Sequence, residues 1–180
     1  MSPVNNEKGT VLVVALIIMG LLAIMGTAIM MTTSIELRIA RNDRASKTAF
    51  YRAENGRIMG AMASEAAAWG IDYVDGSNFE DVPDITIMDG DFIMEDFNDG
   101  DSVTAAPDVR VKENGSVAAD IDVDKLSVGT LPGSSAEFAA GYEGAGASSG
   151  VMTVIAVDSI GTEPTGARAH IKVQYMLIPR

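Results

Sequence analysis

The stretch TVLVVALIIMGLLAIMGTAIMMTTS, Thr10 to Ser34, decides how the rest of this 180-residue chain is read. No charged residue lies between Lys8 and Glu36. A helix of that length crosses roughly 30 Å of hydrocarbon at about 1.5 Å per residue. It is too long for the apolar core of an ordinary secretory signal, and no small-residue cleavage pattern follows it. Arg38, Arg41, Arg44 and Lys47 come directly after it. By the positive-inside rule they would hold the C-terminal part in the cytoplasm, while Lys8 and the amino terminus compete from the other side, so charge leaves the topology open.

Outward from this stretch the helical pattern continues. Ile35 and Ile39 are four apart, as are Ala49 and Ala53, and Ile58, Met62, Ala66 and Trp69 extend an apolar stripe at helical spacing. Asp43 and Lys47 form an i,i+4 pair on the polar side. Gly70 is the strongest stop signal. The expectation is one helix of roughly 60 residues, apolar all round over 10–35 and amphipathic over 36–69. A membrane anchor followed by a separate helix is the alternative.

Charge divides the chain in the same place. Up to Arg57 there are seven basic and four acidic residues; beyond it there are six basic and 21 acidic. The whole carries a formal charge of −12, which argues against nucleic acid as a partner, since phosphate binding needs clustered positive charge. With no cysteine, disulfides, thiolate catalysis and Cys-based metal sites are excluded, and a single histidine rules out multi-histidine sites within one chain.

The acidic part, 70–180, reads as a β-rich head. Ile85–Met88, Asp89-Gly90 and Asp91–Met94 have the form of a hairpin, as do Val109–Glu113, Asn114-Gly115 and Ser116–Val123. A third pair runs from Val151 to Ile160 and from Ala167 to Leu177, joined by a turn containing Pro164. The glycine-rich stretch 129–150 reads as a loop. The expected fold class is therefore α+β: a long N-terminal hydrophobic helix packed on an antiparallel β-sheet head.

Three groups were weighed for chemistry. Asp96, Asn98, Asp99 and Asp101 lie close enough in sequence to be calcium candidates, but the glycine is misplaced for an EF-hand and Pro107 stands where its closing Glu belongs. Asp120, Asp122 and Asp124 alternate with Ile121 and Val123, which places the carboxylates on one strand face, expected to be solvated. His170 shares its strand face with Arg168, Lys172 and Gln174 and is expected to be exposed. No nucleophile elbow, phosphate loop, dinucleotide fingerprint or HExxH occurs, so neither an enzyme nor a cofactor is expected, calcium being the one candidate ligand.

The leader ending in Lys8-Gly9, followed at once by GTVLVVALIIMGLLAIMG, resembles a type IV prepilin (class III) signal. Glu36-Leu37-Arg38-Ile39-Ala40-Arg41-Asn42 and the run Thr48-Ala49-Phe50-Tyr51-Arg52-Ala53-Glu54-Asn55-Gly56 are similar to the N-terminal region of PilX-type minor pilins. Tyr142-Glu143-Gly144 with Gly146, Asp158-Ser159-Ile160-Gly161 and Ala167-Arg168-Ala169 resemble that family more weakly. The resemblance implies that 1–9 is a leader, that a prepilin peptidase cuts after Gly9 and methylates Thr10, and that the apolar helix becomes part of a filament core. It points to Val14, Glu36, Phe50, Ala53, Glu54 and Gly56 as filament-packing positions. It implies as partners other minor and major pilins and a PilY-type tip adhesin. The implied location is the inner membrane with a periplasmic head, then the pilus surface of a Gram-negative-type envelope.

Two departures shape the expectation. Most pilins carry a glutamate at the position of Val14, where it meets a neighbour's amino terminus; a valine cannot neutralise that buried charge. Such a subunit suits a filament tip, as in the K-type pseudopilin of type II secretion, the nearest rival reading. The second departure is the missing cysteine pair. A reading outside the filament class is a membrane-anchored binding module, for instance a calcium-dependent adhesin, that keeps Met1 to Gly9.

Overall fold

The structure, a computed structural model, describes residues 7–79, 82–91, 103–130 and 151–178. It has one helix, α1 (Glu7–Ala68), followed by five strands: β1 (Ile85–Ile87), β2 (Val109–Glu113), β3 (Ser116–Thr130), β4 (Val151–Thr162) and β5 (Arg168–Leu177). The strands form one antiparallel sheet in the order β1-β2-β3-β4-β5. The α+β plan and the single long helix agree with the sequence reading. The chain divides into two compact units, Met1–Arg44 and Ala45–Arg180. The last part of α1 thus belongs to the head, which begins well before residue 70 because those turns carry the sheet.

The helix ends as its glycine requires. Gly70 has φ +83°, Gly70 N–H donates to the Ala67 carbonyl at 2.9 Å and Ile71 N–H to that of Ala66 at 3.3 Å. This is a Schellman-type stop, in which a left-handed residue satisfies the last free carbonyls.

The stripe that α1 buries keeps Ala49 and Ala53 of the expected pattern, and Ala66 packs on the core, but it departs from that pattern at Ile58, Met62 and Trp69. Ala49, Ala53 and Ala63 have no exposed surface, Ser64 is fully buried, and Gly56 and Gly60 are buried with them. Ile58, Met62 and Trp69 are 41%, 43% and 59% exposed. Small residues win this face because the sheet lies too close for larger ones. A methyl group on Gly60 would stand 2.7 Å from both Ile121 Cγ2 and Val157 Cγ1. On Gly56 it would overlap Ser159 Oγ and lie 3.0 Å from Ala119 Cβ. On Gly161 of β4 it would run into the backbone of Ala49 and Ala53. Two glycines inside a helix cost on the order of 1 kcal/mol each in helix propensity. Their positions at the closest approach show what offsets that cost: the sheet's branched side chains fill the space a Cβ would take.

Ala63, Phe79, Ile87, Val109, Ala119, Ile121, Val123, Ile155 and Val157 form the core. The helix-facing side of β3 and β4 supplies most of it, at alternate positions as strand geometry demands. Asn114 and Gly115 have φ +52° and +77°, the type I′ geometry of a two-residue hairpin, and join β2 to β3 as the sequence pattern predicts. β3 is longer than expected, reaching Thr130 past a register shift between Lys125 and Ser127. The third strand pair is also present, with Val157 opposite Val173 in the β4–β5 register. The rest of the expected 129–150 loop lies outside the described residues.

The turn of the first expected hairpin does not take the expected form. β1 pairs with β2, Thr86 standing opposite Arg110, and its other side is taken by a bridge between Asn78 and Thr86. Residues 92–94 of the expected second strand lie outside the described residues. Gly90 lacks the positive φ that an Asp-Gly turn of this kind requires. Instead Gly90 N–H donates to Asp75 Oδ1 at 2.8 Å, and a Cβ there would overlap the Tyr73 carbonyl. Asp-Gly is a local signal, and here a tighter contact from a distant segment overrides it.

Candidate assembly surface

The N-terminal unit presents a continuous apolar surface. From Val11 through Ile39 every large hydrophobic side chain of α1 is more than half exposed, for example Leu12 at 63%, Ile24 at 67% and Met30 at 75%. Polar groups inside the segment are satisfied within the helix. Thr27 Oγ1 donates to the Ile24 carbonyl at 2.9 Å, Thr32 Oγ1 to Ala28 at 3.1 Å and Thr33 Oγ1 to Ile29 at 3.0 Å. A span whose helical backbone and inner threonine hydroxyls are bonded internally can enter hydrocarbon or an apolar protein environment with few stranded donors. The helix is long and apolar enough to cross a membrane. It starts at Glu7, so Gly9 and Thr10, the expected processing residues, lie in its first turn.

The expected filament-packing residues fall into three groups. Val14 is 54% exposed and Phe50 51% exposed, and Glu36 is exposed as well, so all three face outward. Phe50 meets the exposed Tyr51 edge to face, with ring centroids 5.8 Å apart. Ala53 and Gly56 face inward. They are buried against Gly161, Ser159 and Ala119 of the chain's own sheet. Their small size suits the close approach of the sheet.

Glu54 forms the third group. Its carboxylate accepts two hydrogen bonds from Arg57, whose guanidinium holds the carboxyl below its ordinary value by that bond. Arg57 also donates to the Tyr175 hydroxyl, with its guanidinium carbon 5.9 Å from the centre of that ring. Arg52 Nη1 donates to the Thr162 carbonyl at 2.7 Å, and its Nε and Nη2 both reach Glu113 Oε2. Glu54 therefore belongs to a set of polar ties between α1 and the sheet. Arg52 and Arg57 were not singled out by sequence reasoning. Their signal is the spacing of 52, 53, 56 and 57 around the small-residue stripe, which brings two long side chains to its margins.

The far face of the sheet corrects a second expectation. Asp120, Asp122 and Asp124 are 6–8% exposed and Asp158, directly opposite Asp122, is 6% exposed, so this is not a solvated face. Like charges facing each other across strands are unfavourable unless cations intervene. Arg110 Nε lies 2.7 Å from Asp120 Oδ1, and Lys172 Nζ lies 2.6 Å from Asp158 Oδ2 and 3.8 Å from Asp124 Oδ2. The hydrogen bond to Asp158 raises the Lys172 ammonium above its ordinary value, against desolvation. His170 has an exposed ring, as expected, but that ring also bonds Asp158. Among the described residues no three His, Asp or Glu side chains are grouped to hold a metal ion. Asp96, Asn98, Asp99 and Asp101 lie outside the described residues.

An unpartnered apolar helix that runs on into a turn-rich antiparallel sheet, with small residues at the contact, is the layout of a pilin-like protein. Within that class, residues 8–56 match the PilX N-terminal family, so this region of the chain is similar to the N-terminal region of that family. The match ends at Gly56, inside α1, and does not reach the sheet. No curated protein and no solved structure matches the chain.

Proposed function

We propose that this chain is a minor pilin that helps to initiate and cap a type IV pilus, in a tip complex with other minor pilins and a PilY-type adhesin. The observation that carries the reading is the PilX N-terminal match over residues 8–56, lying on a helix whose apolar surface has no cover within its own unit. Before assembly, residues 10–35 sit in the inner membrane with the head in the periplasm. Cleavage after Gly9 and methylation of Thr10 then release a subunit whose helix packs among those of its neighbours. Burying an exposed leucine or isoleucine contributes about 1.5–3 kcal/mol, so a helix with this many of them supports either a lipid or a filament environment strongly. Val14 supports the tip position. A subunit without a carboxylate there cannot pair with the amino terminus of a preceding one, and at a tip no such pairing is needed. The same feature fits the K-type tip pseudopilin of a secretion filament.

The test is the intact mass and N-terminal sequence of the protein recovered from its native cell envelope. A chain beginning at methylated Thr10 is expected. A chain beginning at Met1 would mean an ordinary anchor and would overturn the pilin reading. Immunogold labelling of sheared filaments then separates a pilus tip from a secretion filament.

A further inference from the structure

The two edges of the sheet are finished differently. β1, at one edge, has only three residues and is closed on its outer side: Gly76 N–H donates to the Ile87 carbonyl and Ile87 N–H to that of Ser77, both at 2.8 Å. β5, at the other edge, has ten residues and pairs with β4 in unbroken register from Arg168 opposite Thr162 to Leu177 opposite Thr153. Among the described residues no backbone group bonds to its outer side. A long, regular edge strand is a template for another strand, and proteins ordinarily blunt it with proline, a bulge or a projecting lysine. β5 contains no proline and no register shift. Its one lysine, Lys172, is drawn back over the sheet by Asp158 and Asp124, and His170 is drawn back by Asp158.

We propose that the outer edge of β5 is a docking site for an extended segment of a different protein, added to the sheet as a sixth strand. The chemistry of that segment follows from the two faces of β5. On the helix side Ala169, Ile171, Val173, Tyr175 and Leu177 are only half-buried, so the segment carries apolar residues at alternate positions. On the other side Arg168 is exposed, without a carboxylate partner among the described residues, and β5 itself contains no acid. The intervening residues of the segment therefore include a carboxylate that meets Arg168, a cross-strand opposite-charge pair. A second copy of this chain fits poorly. β5 contains no acid, so no antiparallel self-pairing register gives Arg168 a carboxylate, and the register centred on Lys172 sets that residue opposite its own copy.

The inference does not rest on the pilus reading, because its test is read in the isolated chain. The full-length protein in detergent micelles is mixed with a decapeptide of alternating Glu and Val, or with one of alternating Lys and Val, and amide hydrogen exchange is followed residue by residue. The outward half of the β5 amides should exchange freely in the protein alone. The Glu-Val peptide should slow them about tenfold or more, and the Lys-Val peptide should not. In Arg168→Glu that preference should reverse, and in Arg168→Gln it should weaken, with β4 amides unchanged in both variants to show that the sheet is intact. Outward β5 amides already as protected as those of β4 in the protein alone would overturn the proposal. So would protection by neither peptide, or equal protection by both.

Discussion

Residues 10–35 of α1 carry large apolar side chains on every face and leave them exposed, whereas residues 45–68 of the same helix bury only small ones. Hydrophobicity alone would have assigned the core to the first stretch. What distinguishes the second is fit: Ala49, Ala53, Gly56, Gly60 and Ala63 let the helix backbone come against β3 and β4, and the branched side chains of the sheet fill the gap. The first stretch has no such partner within its unit, and its surface is left for lipid or for other helices. A helix can thus be sticky without being specific in one part, and specific without being very apolar in another.

Substitutions that enlarge glycine should break this contrast in the second region only. The largest effect is expected at Gly161, where a methyl group meets the helix backbone and not a movable side chain. Gly161→Ala should destabilise the head by about 3 kcal/mol or more, read as a fall in its thermal midpoint. Next comes a matched pair. Gly60→Ala should cost roughly 1–3 kcal/mol by overpacking against Ile121 and Val157. Gly20→Ala, with nothing within 4 Å, should leave the midpoint of the head unchanged and favour the helix by up to about 1 kcal/mol. Equal effects from these two would mean that the second region is not closely packed.

A smaller effect sharpens the same interface. Ser159 Oγ is buried beside Gly56 with no hydrogen-bond partner among the described residues. Ser159→Ala should therefore raise stability by about 1 kcal/mol in chemical denaturation. A loss would show that the hydroxyl is bonded in solution. The smallest effect belongs to the far face of the sheet. Lys172 is raised above its ordinary value by Asp158. A raised lysine contributes stability that is complete below the unfolded-state value and is lost as pH rises through the folded-state one. The head should therefore weaken slightly above about pH 10. Lys172→Gln should remove that alkaline slope at some cost at neutral pH, as followed by the unfolding midpoint against pH.

Much of this was legible in the chain. The helix, its end at Gly70, the Asn114-Gly115 hairpin and the β4–β5 pair all follow from local rules, in which a residue's own backbone preference or a short period decides the outcome. Three readings failed where the deciding contact is distant in sequence. Ile58, Met62 and Trp69 form a valid helical stripe, but the sheet approaches the adjacent face. Asp89-Gly90 is a valid turn signal, but Gly90 is held by Asp75 and lies against Tyr73 instead. The alternating aspartates of β3 look like a solvated face, yet Arg110 of the neighbouring β2 reaches Asp120, and Lys172 reaches across from β5 to Asp158 and Asp124. For the assembly surface the division is the same. Val14, Glu36 and Phe50 lie outward, but Ala53, Glu54 and Gly56 are claimed by the chain's own sheet and its arginines.

By itself the sequence determined that this protein has an apolar helix able to leave water, an acidic β-rich head, no cysteine and a single histidine, because composition and short periods carry that information directly. The tertiary structure alone decided which face of the helix is core, which aspartates are buried and which sheet edge is open among the described residues. Those outcomes depend on how near two backbones come, and that distance is set by side chains far apart in the chain.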